Sequence, residues 1–196
     1  LNERYIELRS KARKVPDFGR YSLKLAQMNP MIFEFILSGM DGLPKTIWEP
    51  FSAPSSDIFR FMASMRKFKM DSYGLVDVPG VHVCDSKYVI PAADYGCVLF
   101  HPPYYGSDLQ SGDLEDLSRL EVWEEYKDAV SKAMTNAAEV LVDNGMLVLV
   151  GRDYRAMSKR VRLDLMYLDI MEGLPLKLEE VWISEPDVVL VARKGL

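Results

Sequence analysis

The last part of the chain places the tightest limit on its fold. "LKLEEVWIS" and "DVVLVARK" both have strand composition, and only the tight "EPD" turn joins them. With so little chain between them, the two must pair antiparallel, because a parallel pair needs a crossover of a dozen or more residues. Upstream, short apolar segments alternate with segments of helical spacing. That alternation predicts a right-handed, mostly parallel α/β sheet. The whole is a doubly wound sheet of seven strands with a reversed hairpin at one edge. In such sheets ligands lie past the carboxyl ends of the strands, where the strand order reverses.

The elements are set by local signals. "NPMIFEFILSGM" has helical apolar spacing, with Asn29-Pro30 as N-cap and first residue. "TIWE" is a short apolar strand stopped by Pro50, and "SSDIFRFMASMRKF" is a helix opened by serines. "DSYGLVDV" and "GVHVCD" read as short strands, and "YGCVLF" as a strand covered on both faces. "RLEVWEEYKDAVSKAMTNAAEVLV" is expected to be a long helix ended by Asn144-Gly145, with the buried strand "MLVLVG" after it. "SKRVRLDLMYLDIME" is expected to be a helix stopped at Gly173. Residues 1–20, with "RSKARK", read as a basic arm or short helix ahead of a single domain over 21–196.

The chain has 196 residues, 48% of them hydrophobic, which is enough for one full core. No apolar run is long enough to span a bilayer, and the polar, basic N-terminus is not a signal peptide. The chain starts at Leu1 and not at a methionine. Cys84 and Cys97 have neither metal-ligand nor redox spacing, and two histidines leave little for a zinc site. A reducing, cytoplasmic setting is expected, nucleoid-associated in a bacterial or phage protein. The net charge of −5 argues mildly against an obligate nucleic-acid binder. However, basic residues cluster in "RKFK" and in "GRDYRAMSKRVR", where phosphate contact and a solvated charged face are the two readings.

"VLFHPPYYG" carries the chemistry. A buried strand ends in His101, two prolines, two tyrosines and a glycine. Pro102 and Pro103 have fixed φ and donate no backbone hydrogen bond, so the turn is stiff. As an isolated motif it is either a strand-terminating turn or a built site.

"HPPYY" after an apolar strand resembles the [D/N/S]-P-P-[Y/F/W] motif of S-adenosylmethionine-dependent amino-methyltransferases, the DNA N6-adenine and N4-cytosine group above all. "TIWEPFSAPSSD" resembles that group's first cofactor motif, a strand, an acid-Pro-Phe and a small-residue turn. "EVLVDNGMLVLVGRDYR" and the terminal hairpin resemble the family's segments downstream of the catalytic motif. The similarity runs from about Tyr21 to Lys194. It implies a Rossmann-like methyltransferase fold, S-adenosylmethionine as cofactor, and methyl transfer to an exocyclic amine of a base, DNA preferred.

The resemblance assigns His101, Pro102, Pro103 and Tyr104 to catalysis. Two acceptors aimed at the N–H groups of an aromatic amine hold the nitrogen for attack. The side chain at 101 and the Pro102 carbonyl are the candidates, and the Tyr104 ring is expected to stack on a flipped base, with little need of its hydroxyl. The family has Asp, Asn or Ser where this chain has His101. A neutral imidazole accepts through one nitrogen; a protonated one only donates. Two readings are open: a working acceptor, or a degenerate site in a binding or scaffold subunit beside an active partner. RNA or protein amine and amide methyl transfer share the same motif logic.

The cofactor is assigned Glu49, Pro50, Phe51, Ser52 and Ala53 in the first turn, with Glu49 near the methionine moiety. "SAPSS" lacks the family's Gly-x-Gly. Asp77 stands where an acid takes the ribose hydroxyls, or is a strand-end turn residue. Asp85 stands near the family's adenine position. Phe51 or Tyr88 is an adenine contact or part of the apolar core. Tyr105, Arg152, Arg155, Lys159 and Arg160 are the nucleic-acid candidates. With no room for a recognition domain, target choice is expected to be loose, loop-borne, or supplied by a partner or a second copy.

Overall fold

A computed structural model describes residues 3–16, 28–52, 56–75, 79–92, 94–106, 117–156 and 159–195. In chain order the helices are α1 (Glu3–Ser10), α2 (Pro30–Ser38), α3 (Asp57–Met65), α4 (Trp123–Val140) and α5 (Leu163–Met171). The strands are β1 (Arg13–Lys14), β2 (Thr46–Glu49), β3 (Lys69–Gly74), β4 (Val81–Val83), β5 (Tyr95–Phe100), β6 (Leu141–Ala156), β7 (Lys159–Arg162), β8 (Leu176–Ser184) and β9 (Asp187–Lys194).

One sheet runs β1-β8-β9-β6-β5-β2-β3-β4, with β7 paired to β6. From β4 through β6 every pairing is parallel; β9 is antiparallel to both β6 and β8. The expected seven strands are all present, with the reversed hairpin at the expected edge. The chain steps outward from β2 to β3 and β4, then returns to place β5 on the other side of β2. The reversal therefore lies between β2 and β5, and a ligand crevice opens past their carboxyl ends.

Two apolar layers cover the sheet. One packs α4 and α5 against Trp48, Val98, Phe100, Leu147 and Leu149. The other packs α2 and α3 against Ile47, Cys97, Leu99, Val148 and Val150. Neighbours along β5 thus face opposite layers, as period-2 geometry requires, which is why "YGCVLF" is apolar throughout. In α2 the Asn29 side chain accepts from the Met31 N–H at 3.0 Å, and Pro30 opens the helix. Gly96 is required where it stands: a Cβ there would lie 2.1 Å from the Pro44 carbonyl oxygen.

Two local expectations are corrected. The long helix ends at Val140, not Asn144-Gly145, and β6 begins directly at Leu141. Asn144 takes φ 61° inside β6, where the register with β5 shifts, so the Asn-Gly pair marks an irregular strand. "KRVR" is a strand, not a helix start: Lys159–Arg162 pairs antiparallel with Asp153–Ala156, with Val161 buried between charged neighbours. Residues 1–20, read as a basic arm or short helix, contain the short helix α1 and the two-residue strand β1. Tyr5 is buried, and β1 pairs parallel with β8.

Candidate active site

The HPPYY turn leaves β5 at the carboxyl end of the sheet, and tyrosine hydroxyls hold it. Tyr126, on α4, donates to the Pro103 carbonyl at 3.0 Å. Tyr154, on β6, donates to the Tyr105 carbonyl at 2.8 Å, and Tyr105 donates to the Glu121 carbonyl at 2.6 Å. The prolines leave no N–H to satisfy, and these donors take up carbonyls that a buried turn would otherwise strand.

Around His101 stands a chain of polar groups. Its Nε2 lies 3.0 Å from the Tyr104 hydroxyl, which lies 3.5 Å from Asp187 Oδ1. Arg152 Nε donates to the same Asp187 oxygen at 2.8 Å. The Tyr104 ring stacks on Tyr154 with centroids 5.4 Å apart, and the Arg152 guanidinium lies 5.5 Å from it. Burial, with the Arg152 charge adding to it, pulls the His101 pKa down to about 4. The imidazole is therefore neutral at pH 7, the form an acceptor needs. Burial raises Asp187, while Arg152 and Tyr104 pull it the other way.

The Tyr104 hydroxyl is thus engaged as well as the ring, which the expectation of a simple stacking surface left out. Sequence reasoning also missed Asp187 and Tyr154. Asp187 is 83 positions from Tyr104 and reads in sequence as a turn residue. Only the β6–β9 pairing, which sets Arg152 opposite Asp187, brings it to the site.

The Glu49 turn, the sequence candidate for cofactor binding, leaves β2, the strand beside β5, with Trp48 paired to Val98. Glu49 is buried; its Oε1 accepts from Ser56 Oγ at 2.6 Å. Its Oε2 is buried with no hydrogen-bond partner among the described residues. Burial raises the Glu49 pKa, opposed by the Ser56, Ser72 and Ser52 hydroxyls and the Arg60 charge. The Pro50 carbonyl accepts from Ser86 Oγ, tying this turn to the loop after β4. Phe51 lies edge-on to Phe100, with centroids 5.1 Å apart, and so joins the two turns through the core. Ser52 donates its N–H to Tyr73 at 2.6 Å and accepts from Arg60 at 3.1 Å.

The other sequence candidates are placed less uniformly. Ala53 and Asp77 lie outside the described residues. Asp85 Oδ1 accepts from the Lys87 N–H at 2.9 Å, and its buried Oδ2 forms an ion pair with Lys87 Nζ at 3.1 Å but has no hydrogen-bond partner among the described residues. Tyr88 is exposed. Of the basic candidates, Arg152 pairs with Asp187 and Arg160 with Asp153, while Arg155 is exposed on β6. Lys159 lies on β7 opposite Ala156. Arg152 and Arg160 are therefore held in ion pairs with acidic neighbours. A separate cavity of about 580 Å³ opens beside Tyr105 and Trp123, between α4, α5 and β7.

No protein-family model matches the chain, and no curated protein matches it. Solved structures do. Among them is 1,6-didemethyltoxoflavin-N1-methyltransferase of Burkholderia thailandensis, bound to 1,6-didemethyltoxoflavin and S-adenosylhomocysteine. It is 12% identical, with 88% of this chain and 80% of that one covered, at a TM-score of 0.59. The N-methyltransferase NodS of Bradyrhizobium japonicum, in complex with S-adenosylhomocysteine, is 12% identical over 97% of each chain, at 0.58. CalS10, an amino pentose methyltransferase of Micromonospora echinaspora bound to S-adenosylmethionine, is 11% identical, with 84% and 89% covered, at 0.53. The chain has the Rossmann-like α/β fold of the S-adenosylmethionine-dependent methyltransferases.

Proposed function

We propose that this protein transfers a methyl group from S-adenosylmethionine to an exocyclic amine of a nucleic-acid base, DNA adenine N6 or cytosine N4. The observation that carries this reading is the juxtaposition of two turns. The Glu49 turn and the His101 turn leave neighbouring parallel strands on the two sides of the reversal in strand order. The fold is one in which this crevice is the expected ligand site.

The residues present fit the cofactor. Glu49 offers a buried carboxylate oxygen without a partner among the described residues, suited to a cationic ligand. Residues Glu49 to Ser52 would border the methionine side, and Asp85 the adenine side. S-adenosylmethionine supplies an electrophilic methyl on a sulfonium. His101, neutral, would accept from the target N–H and hold the amine nitrogen for attack. The stacked Tyr104–Tyr154 pair gives the crevice an aromatic wall beside that nitrogen. Target choice would rest with the loops or with another chain.

The test is methyl transfer from labelled S-adenosylmethionine to single- and double-stranded DNA and RNA, with nucleoside digestion and mass spectrometry of the products. N6-methyladenine or N4-methylcytosine from DNA is the expected product. Label in RNA alone would move the substrate class. Cofactor binding without transfer to any nucleic acid would make the chain a binding subunit or an enzyme for another amine.

A further inference from the structure

We propose that Asp187 is a positioning residue for His101, acting through the Tyr104 hydroxyl to hold the imidazole proton on Nε2 and leave Nδ1 as the free acceptor. Three groups in line, Asp187, Tyr104 and His101, share a limited number of protons. Asp187 opens β9, is 5% exposed, and has its Oδ1 held by Arg152 Nε at 2.8 Å. As a carboxylate paired with a guanidinium it accepts and does not donate. Tyr104 has one hydroxyl proton and two acceptors for it, Asp187 Oδ1 at 3.5 Å and His101 Nε2 at 3.0 Å, while its oxygen also accepts from Arg152.

If that proton pointed to His101, an oxygen lone pair of Tyr104 would face the carboxylate with no hydrogen between them. In a part-buried site that is repulsive, because low dielectric strengthens like-signed contacts. With the proton directed to Asp187 instead, the Tyr104 oxygen is an acceptor, and Nε2 must carry the hydrogen that fills the 3.0 Å contact. A neutral imidazole has one N–H, so Nδ1 is then the unprotonated nitrogen. The direction of the whole chain of hydrogen bonds is set at its carboxylate end.

This deepens the proposed function and takes its biological sense from it, since Nδ1 is then the atom offered to the target amine. The tautomer itself is measurable without any substrate. Long-range ¹H–¹⁵N correlation on ¹⁵N-histidine-labelled protein at pH 7 separates protonated from unprotonated ring nitrogens. His82, the other histidine, is identified with His82→Gln. The expected result is a single His101 tautomer with hydrogen on Nε2. Asp187→Asn and Tyr104→Phe should each lose that fixed tautomer. Tyr104→Phe keeps the ring and decides the matter if Asp187→Asn fails to fold. A wild-type proton on Nδ1, or a tautomer unmoved in the folded variants, overturns the proposal.

With a methyl acceptor in hand, both variants should lower kcat roughly 10–100-fold, the scale seen when a partner that orients a metal-bound histidine is removed. KM for cofactor should stay unchanged, and the double variant should be no worse than the poorer single one. Additive losses would also count against the coupling of the three groups. If wild type methylates nothing while the tautomer is as stated, the functional reading fails and this inference stands.

Discussion

His101 is neutral at physiological pH because it is partly buried and Arg152 lies beside it, both of which disfavour the imidazolium. Its folded pKa of about 4 is below the unfolded value near 6.5. Between those values the unfolded chain binds more protons, so the stability that His101 contributes is present above about pH 6.5 and is lost as pH falls toward 4. Activity should take the same form: no loss attributable to His101 from pH 8 to 6, then a fall centred near 4. His101→Asn and His101→Asp restore an oxygen acceptor and should keep part of the activity without that acid limb. His101→Ala should lose most of it. Methyl transfer against pH at saturating cofactor measures all four proteins, and an alanine variant as active as wild type contradicts the acceptor role. The histidine, the prolines and Glu49 could be named as candidates from the sequence because the motif that suggests them is local. Asp187 was not, because its role exists only through the pairing of β6 with β9.

At the scale of elements, the sequence misplaced the segment after β6. "SKRVRLDLMYLDIME" has helical apolar spacing as a whole, but its first residues alternate charge and apolar side chain and extend a hairpin. What fixes the junction is Asp164, fully buried at the start of α5. It accepts from Arg162 at 2.6 Å, from Arg9 at 2.8 Å, and from the Tyr5 hydroxyl. Burial pushes its carboxyl up, but Arg162, Tyr5 and Arg9 outweigh that and hold its pKa below the ordinary value. The carboxylate thus fastens α1, which the sequence offered as a basic arm or a short helix, to the hairpin and α5. Asp164→Asn should cost about 3 kcal/mol, the low end for breaking a buried pair, since Arg9 and Arg162 are partly exposed. Urea unfolding at pH 7 checks this. Because the folded pKa is depressed, the Asp164 contribution is present above its unfolded value and lost as pH falls below it, so the difference between variant and wild type should shrink in acid. An undiminished difference at low pH would place the effect in packing.

At the scale of the molecule, the topology was legible because alternation and the terminal hairpin leave few ways to order a parallel sheet. The edge strands β1 and β7 were not, since two- and four-residue strands carry little pattern of their own. The same topology puts the Glu49 and His101 turns side by side, and the proposed chemistry depends most on that crevice holding S-adenosylmethionine. The direct measurement is calorimetric titration of wild type and Glu49→Gln with S-adenosylmethionine, repeated across pH. Wild type should bind, and Glu49→Gln should bind at least about tenfold more weakly, the loss of one charge-assisted contact of about 1.4 kcal/mol or more. Because burial raises the Glu49 pKa and a cationic ligand favours its charged form, wild-type affinity should rise as pH increases through that raised value, with proton release on binding. That rise should be absent in the variant. Wild type that does not bind, or a variant of equal affinity and equal pH dependence, would contradict the assignment of this crevice to the cofactor.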